Sequence, residues 1–144
     1  MADGQSVRYQ RILLPTDGSP QSVAAAQHAL YLARSLGAAL TALYVIEIDI
    51  RLGVHIGEEV AEVTQTGEQA LAEVESLAAA TDVAVTTLLR EGKITDVILG
   101  EAKELNADLI VMGAHSMGAL ERMLLGSVST VVAQHASCPV LLVR

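Results

Sequence analysis

The sequence predicts an α/β fold built on a mostly parallel β-sheet. Three observations carry that expectation. Short apolar runs alternate along the chain with longer stretches whose apolar residues return at helical spacing. The runs are continuously apolar, as suits parallel strands covered on both faces. Clusters of glycine, proline and serine fall at the joints between the two kinds of segment. The chain has 144 residues, enough for one domain, 1–144, with a real core.

Residues 11–16 (RILLPT) read as the first strand. Asp17-Gly18-Ser19-Pro20 is a turn cluster in which Ser19 suits an N-cap and Pro20 the first helical position. Residues 21–36 then carry Val23, Ala26, Leu30 and Ala33 at helical spacing, and Gly37 suits the C-cap. Residues 39–46 (ALTALYVI) are a second strand, and 47–57, with two glycines and no period, a loop. Residues 58–80 form a long helix with Val60, Val63, Leu71, Val74 and Leu77 near one stripe. Thr66-Gly67 is a place where that helix could become irregular. Glu62, Glu68, Glu73 and Glu75 make its solvated face, not a metal cluster. The β-branched run 83–89 is a third strand, broken by Gly92; 94–105 is a helix and 107–112 a fourth strand. Residues 119–125 are a short amphipathic run, 127–135 the last helix and 139–143 a fifth strand.

Composition narrows the function. Hydrophobic residues make up 51% of the chain but aromatics only 2%, with no Phe or Trp. The core must therefore be Val, Leu, Ile, Ala and Met, and stacking of bases on aromatic rings is not expected. A net charge of −8 argues against a nucleic-acid surface. It leaves room for a local anion site made by backbone amides. The single cysteine, Cys138, excludes an internal disulfide and a cysteine-rich zinc site, and reads as a small buried apolar residue. No apolar run approaches the roughly 20 residues of a membrane span, and the polar first residues lack a signal core, so a cytoplasmic protein is expected.

The most informative stretch is 108–128. It reads as a buried strand, a turn at Gly113, the amphipathic run, and a helix opening at Gly126-Ser127. Strand, glycine turn and helix N-terminus in that order suit a phosphate, because glycine admits close approach and a first helical turn has unpaired N–H groups. Ser127 adds a hydroxyl where an N-cap would sit. The same residues would also serve as a plain strand end and helix start. Ligands of open α/β sheets lie beyond the carboxyl ends of the strands where strand order reverses. If the first and fourth strands adjoin there, Asp17 and Gly113 face one crevice.

Five segments in register now resemble the universal stress protein family: ILLPTDGS at 12–19, LYVIE at 43–47, DLIVMGAH at 108–115, LLGSVS at 124–129 and CPVLLV at 138–143. The resemblance implies a three-layer, Rossmann-like fold of the adenine-nucleotide α-hydrolase type, with a five-stranded parallel sheet in the order 3-2-1-4-5. The family divides into members that bind ATP and members that do not, and binders carry G-x-x-G-x9-G-[ST]. Here Gly113 and Gly126-Ser127 hold that spacing, while Ser116 replaces the middle glycine. A serine amide still donates, but a positive φ at that position would strain it.

Carried over residue by residue, the resemblance implies that Pro15, Thr16 and Asp17 flank the adenosine, with Asp17 accepting from the ribose or base. Val45 offers backbone groups to adenine, and Met112 and His115 line the nucleotide. Gly113 lets the ribose lie close. Ser116, Gly126, Ser127 and Val128 give N–H groups to the phosphates. No residue is expected to be catalytic or a metal ligand; Mg²⁺ would be held mainly by ATP. A Walker-type loop is absent, since Gly92-Lys93 lacks the earlier glycine. Arg122 reads as a solvated residue. The expected function is an ATP-binding stress module that acts on an unidentified regulatory protein. It would work as a homodimer paired through the edge strand 138–143, with no membrane insertion. The alternatives are a nucleotide-free stress protein acting through protein contacts, or a weak ATPase.

Overall fold

The computed structural model of the chain describes residues 6–47, 57–115 and 126–144. Its elements are β1 (Arg11–Pro15), α1 (Pro20–Leu36), β2 (Ala39–Glu47), α2 (Gly57–Ala79), β3 (Val85–Gly92), α3 (Ile94–Glu104), β4 (Leu109–Gly113), α4 (Ser127–His135) and β5 (Val140–Val143). The strands form one sheet in the order β3-β2-β1-β4-β5, every pair parallel. The order reverses between β1 and β4, which are neighbours in register Leu13↔Ile110.

The inner strands β1, β2 and β4 are buried on both faces, and alternate residues enter different cores. Ile12 and Leu14 of β1 join Ala25, Ala29 and Val74 of α1 and α2. Leu13, between them, joins Ile98 of α3 and Val132 of α4 on the other face. That is the period-two placement of a pleated strand. Both cores are aliphatic, and alanine is frequent where α1 meets the sheet: Ala25, Ala26, Ala29 and Ala33 are all buried.

The expected helix signals of α1 are present. Ser19 is its N-cap, Pro20 begins it, and Gly37 ends it in the left-handed conformation at φ 67°, its N–H donating to the carbonyl of Ala33. Gly92 ends β3, as expected, and its φ of 144° precedes the Lys93 cap of α3; the strand reaches it from Val85, past the expected end at residue 89. Two expectations are corrected. Residues 83 and 84 precede β3 instead of belonging to it. Thr66-Gly67 does not disturb α2, which is continuous there. Gly67 instead allows close approach: a Cβ on it would lie 2.7 Å from a Tyr44 ring carbon and 2.8 Å from Leu89. Other boundaries differ from expectation by one or two residues. The loop expected at 47–57 is shorter, because Glu47 closes β2 and Gly57 opens α2. Residues 48–56 lie outside the described residues.

Candidate functional site

The carboxyl ends of β1, β2 and β4 meet at the reversal in strand order. Thr16, buried, donates its N–H to the Leu43 carbonyl at 2.9 Å, tying the exit of β1 to β2. The chain then turns through Asp17 and Gly18. Asp17 Oδ1 accepts from the Ser19 N–H at 2.9 Å and from the Ser22 hydroxyl at 2.6 Å. The Gly18 N–H donates to Thr16 Oγ1 at 3.2 Å, and Gly18 takes φ 80°. This is an Asx-type turn at the mouth of α1, and it is packed from below. A Cβ on Gly18 would lie 3.3 Å from Ala70 of α2. The phenol of Tyr44, on β2, is raised above its ordinary pKa, first by burial and then by the nearby Asp17 carboxylate.

On the other side of the reversal, Gly113 is the buried last residue of β4. Its carbonyl accepts from the buried Ser129 hydroxyl at 2.8 Å. Ala114 follows, donating its N–H to the Val143 carbonyl at 2.8 Å and accepting the Gly126 N–H at 2.8 Å. The exit of β4 and the entrance of α4 are thereby pinned together. The pin also changes the donor set expected for a phosphate, because the Gly126 N–H is already engaged by Ala114. The expected N-cap moves as well. Gly126, not Ser127, is the cap of α4, and it makes no side-chain capping bond. The first-turn amides of Ser127, Val128 and Ser129 have no partner within the helix, and Ser127 is exposed while Val128 is buried.

Val45 lies near the end of β2, half-buried and opposite Arg90 of β3. Pro15, the last residue of β1, and Met112 in β4 are fully buried. His115 follows Ala114, and its buried Nδ1 has no hydrogen-bond partner among the described residues. Ser116, Arg122 and the amphipathic run 119–125 lie outside the described residues.

Sequence reasoning missed two features. The first is a groove of about 640 Å³ between α3 and α4, opening beside the first turn of α4 and lined by Glu47, Lys93, Ile94, Leu99, Ser127 and Val128, among others. Its size is that of a small-molecule site. Lys93 and Lys103, the chain's only lysines, both line it. The sequence signal was a lysine placed directly after the glycine that ends β3. The second is Ser22, fully buried beneath Asp17. Its signal was a second serine one turn after the N-cap.

Cys138 is half-buried, less hidden than expected, and its thiol is raised above the ordinary value, first by burial and then by the Asp108 carboxylate. Asp108 itself clamps the start of β1, accepting from the N–H groups of Gln10 and Arg11 at 2.9 and 3.0 Å. Among the described residues no group of three or more His, Cys, Asp or Glu side chains could hold a metal, and no helix is long and apolar enough to cross a membrane.

Known proteins resemble this chain in sequence and in fold. The model of the Universal stress protein family matches residues 8–144. Universal stress protein MJ0531 of Methanocaldococcus jannaschii is 38% identical over 140 residues, covering 94% of this chain and 82% of that protein. The structure of universal stress protein UspA from Lactobacillus plantarum superposes with a TM-score of 0.86 at 30% identity, covering 96% of this chain and all of the other. A universal stress protein in complex with cAMP superposes at 0.71 with 25% identity, covering 96% of this chain and 98% of that one.

Proposed function

This chain belongs to the universal stress protein family, and from that premise we propose that it binds ATP at the carboxyl edge of the sheet and works as a nucleotide-responsive regulatory module of the cytoplasm. The observation that carries the reading is the entrance of α4. Its cap residue, Gly126, makes no side-chain capping bond. Its first-turn residues Ser127 and Val128 line a groove shared with Lys93. Main-chain donors, a helix dipole and the two cations Lys93 and Lys103 favour a polyphosphate, beside the carboxylates Glu47 and Asp96 of the same lining. Hydrogen bonds to such a charged group contribute about 1.5–3 kcal/mol each.

In this reading Thr16 and Asp17 meet the ribose, the main chain at Val45 meets adenine, and Gly113 keeps the floor low. Pro15 and Met112 support the site from beneath. His115 borders the phosphates, and the Ser116 N–H is a further donor in this reading. Mg²⁺ enters with ATP and is held mainly by its phosphates. The relative solved with cAMP supports an adenine nucleotide as the ligand class. The protein pairs as a homodimer along β5, the last strand in the sheet order, where Leu141 is 37% exposed. The changed surface is then read by a regulatory protein.

Equilibrium dialysis tests this reading. Near-stoichiometric uptake of ATP is expected, and none at millimolar ATP would overturn it. One sequence feature favours a nucleotide-free protein instead, the serine at 116. Ser116→Gly separates the two: similar affinity in both chains supports a working native site, and binding that appears only in the glycine variant supports the nucleotide-free reading.

A further inference from the structure

We propose that the groove between α3 and α4 binds a small amphipathic carboxylate, its anionic head between Lys103 and His135 and its apolar body along Leu99 and Val131. The inference does not rest on the nucleotide reading, and no residue of the turn after β1 enters it.

Each helix presents one stripe to this groove. On α3 it is Asp96, Leu99 and Lys103; on α4 it is Val128, Val131 and His135. Both triplets step by three and then four residues, the spacing of one helix face, and each spans about 10 Å of helix axis. Both helices connect parallel strands of one sheet, so they run the same way and finish at the same end. The groove therefore has a mouth at the two helix starts, walls of Leu99 and Val131, and a foot at Lys103 and His135.

Charge is spread unevenly along it. The chain carries −8 overall and has two lysines, and both line this groove. The acids of the lining, Glu47 and Asp96, stand at the mouth with Lys93. Among the described lining residues the foot holds Lys103 and His135 and no acid. Neither lysine is in an ion pair among the described residues; Glu101, two residues before Lys103, pairs with Arg90 at 2.9 Å.

A base in the last turn of a helix complements its dipole, and Lys103 and His135 both occupy last turns. A base on any side of the turn would do that. The dipole does not account for both bases lying on the sides that face each other, nor for Leu99 and Val131 left partly open above them.

The foot suits a carboxylate. Helix C-termini offer carbonyl oxygens and no N–H groups, so the donors there are the Lys103 ammonium and a ring N–H of His135. Two donors match the two oxygens of a carboxylate. The negative ends of the same helices disfavour the doubled charge of a phosphate monoester. The volume of about 640 Å³ is that of a small-molecule site.

The test is titration of the whole chain, without nucleotide, with octanoate, butanoate and neutral 1-octanol, followed by backbone amide NMR. Octanoate is expected to give saturable shifts confined to residues 94–103 and 127–135. Butanoate should bind about tenfold or more weakly, having less apolar surface to bury. Lys103→Gln should weaken octanoate about threefold to fivefold, as for an exposed charge pair, and adding His135→Gln should weaken it further. Neither change should alter 1-octanol binding by more than about twofold. Both residues are exposed; should a variant not fold, a preference of the natural protein for octanoate over 1-octanol still decides. No saturation at millimolar octanoate, shifts spread over the surface, or equal losses for acid and alcohol would overturn the inference. So would light scattering in which Leu99→Asp dissociates a dimer, since the groove would then be an interface between copies. None of these outcomes bears on ATP uptake, which dialysis measures separately.

Discussion

The hydroxyl of Ser129 donates to the carbonyl of Gly113 at 2.8 Å, both residues buried. One side chain thus ties the first turn of α4 to the last residue of β4. Ser129→Ala is expected to cost about 1–2 kcal/mol of stability. If the proposed site holds ATP, the same variant should also bind it severalfold more weakly, because the exit of β4 and the entrance of α4 are then joined mainly through the Gly126 amide. Urea unfolding followed by circular dichroism reads the first effect; an unchanged midpoint would show that the bond contributes nothing.

Two mid-helix glycines are expected to respond oppositely to alanine. At Gly100 in α3 nothing lies within 4 Å of an added Cβ, so Gly100→Ala should stabilise by about 0.5–1 kcal/mol through helix propensity. At Gly67 the added carbon meets Tyr44 and Leu89 at 2.7 and 2.8 Å. Overpacking there costs about 1–3 kcal/mol, more than propensity returns, so Gly67→Ala should lower the melting temperature. A rise for both would mean that α2 can lift from the sheet freely.

Tyr44 should titrate above its ordinary pKa of 10.0, because burial and the Asp17 carboxylate both disfavour the phenolate. Since the folded value is raised, the neutral phenol's contribution to stability is intact below the unfolded value. It is lost as pH climbs through the folded one. In a chain with Tyr9→Phe and Tyr31→Phe, Asp17→Asn should move the ultraviolet titration of Tyr44 to lower pH without restoring the ordinary value, since burial is the larger cause. No movement would separate the two side chains.

Leu141 is the exposed apolar residue of β5, at the end of the sheet order. A lysine there is the usual guard against edge pairing. Leu141→Lys is expected to convert a dimer at micromolar concentration into a monomer by multi-angle light scattering. A natural chain that is already monomeric would remove the proposed β5 interface.

Much of this was legible in the sequence because the signals were local. The N-cap Ser19, the C-cap Gly37 and the apolar runs of β1, β2 and β4 each act within a few residues. The neighbourhood of β1 and β4 at the reversal followed from strand alternation once the order 3-2-1-4-5 was supplied by family resemblance. What escaped was decided across space. Gly67 reads as a weak point in a helix until Tyr44 and Leu89 are seen beneath it. The Gly126 amide reads as a phosphate donor until the Ala114 carbonyl is found in front of it. Lys93 and Ser127 lie far apart in the chain and share a groove only because α3 and α4 cover the same face.

The sheet divides the interior into two aliphatic compartments, one under α1 and α2, the other under α3 and α4. Damage on one side of such a wall is not felt as lost contacts on the other. Truncations at Leu30 and at Val132 should therefore sum in their energetic cost. An evolving lineage can recut the α3–α4 layer to suit a new interaction while the bed beneath the Asp17 turn, set by Ala70 and Tyr44, stays as it was.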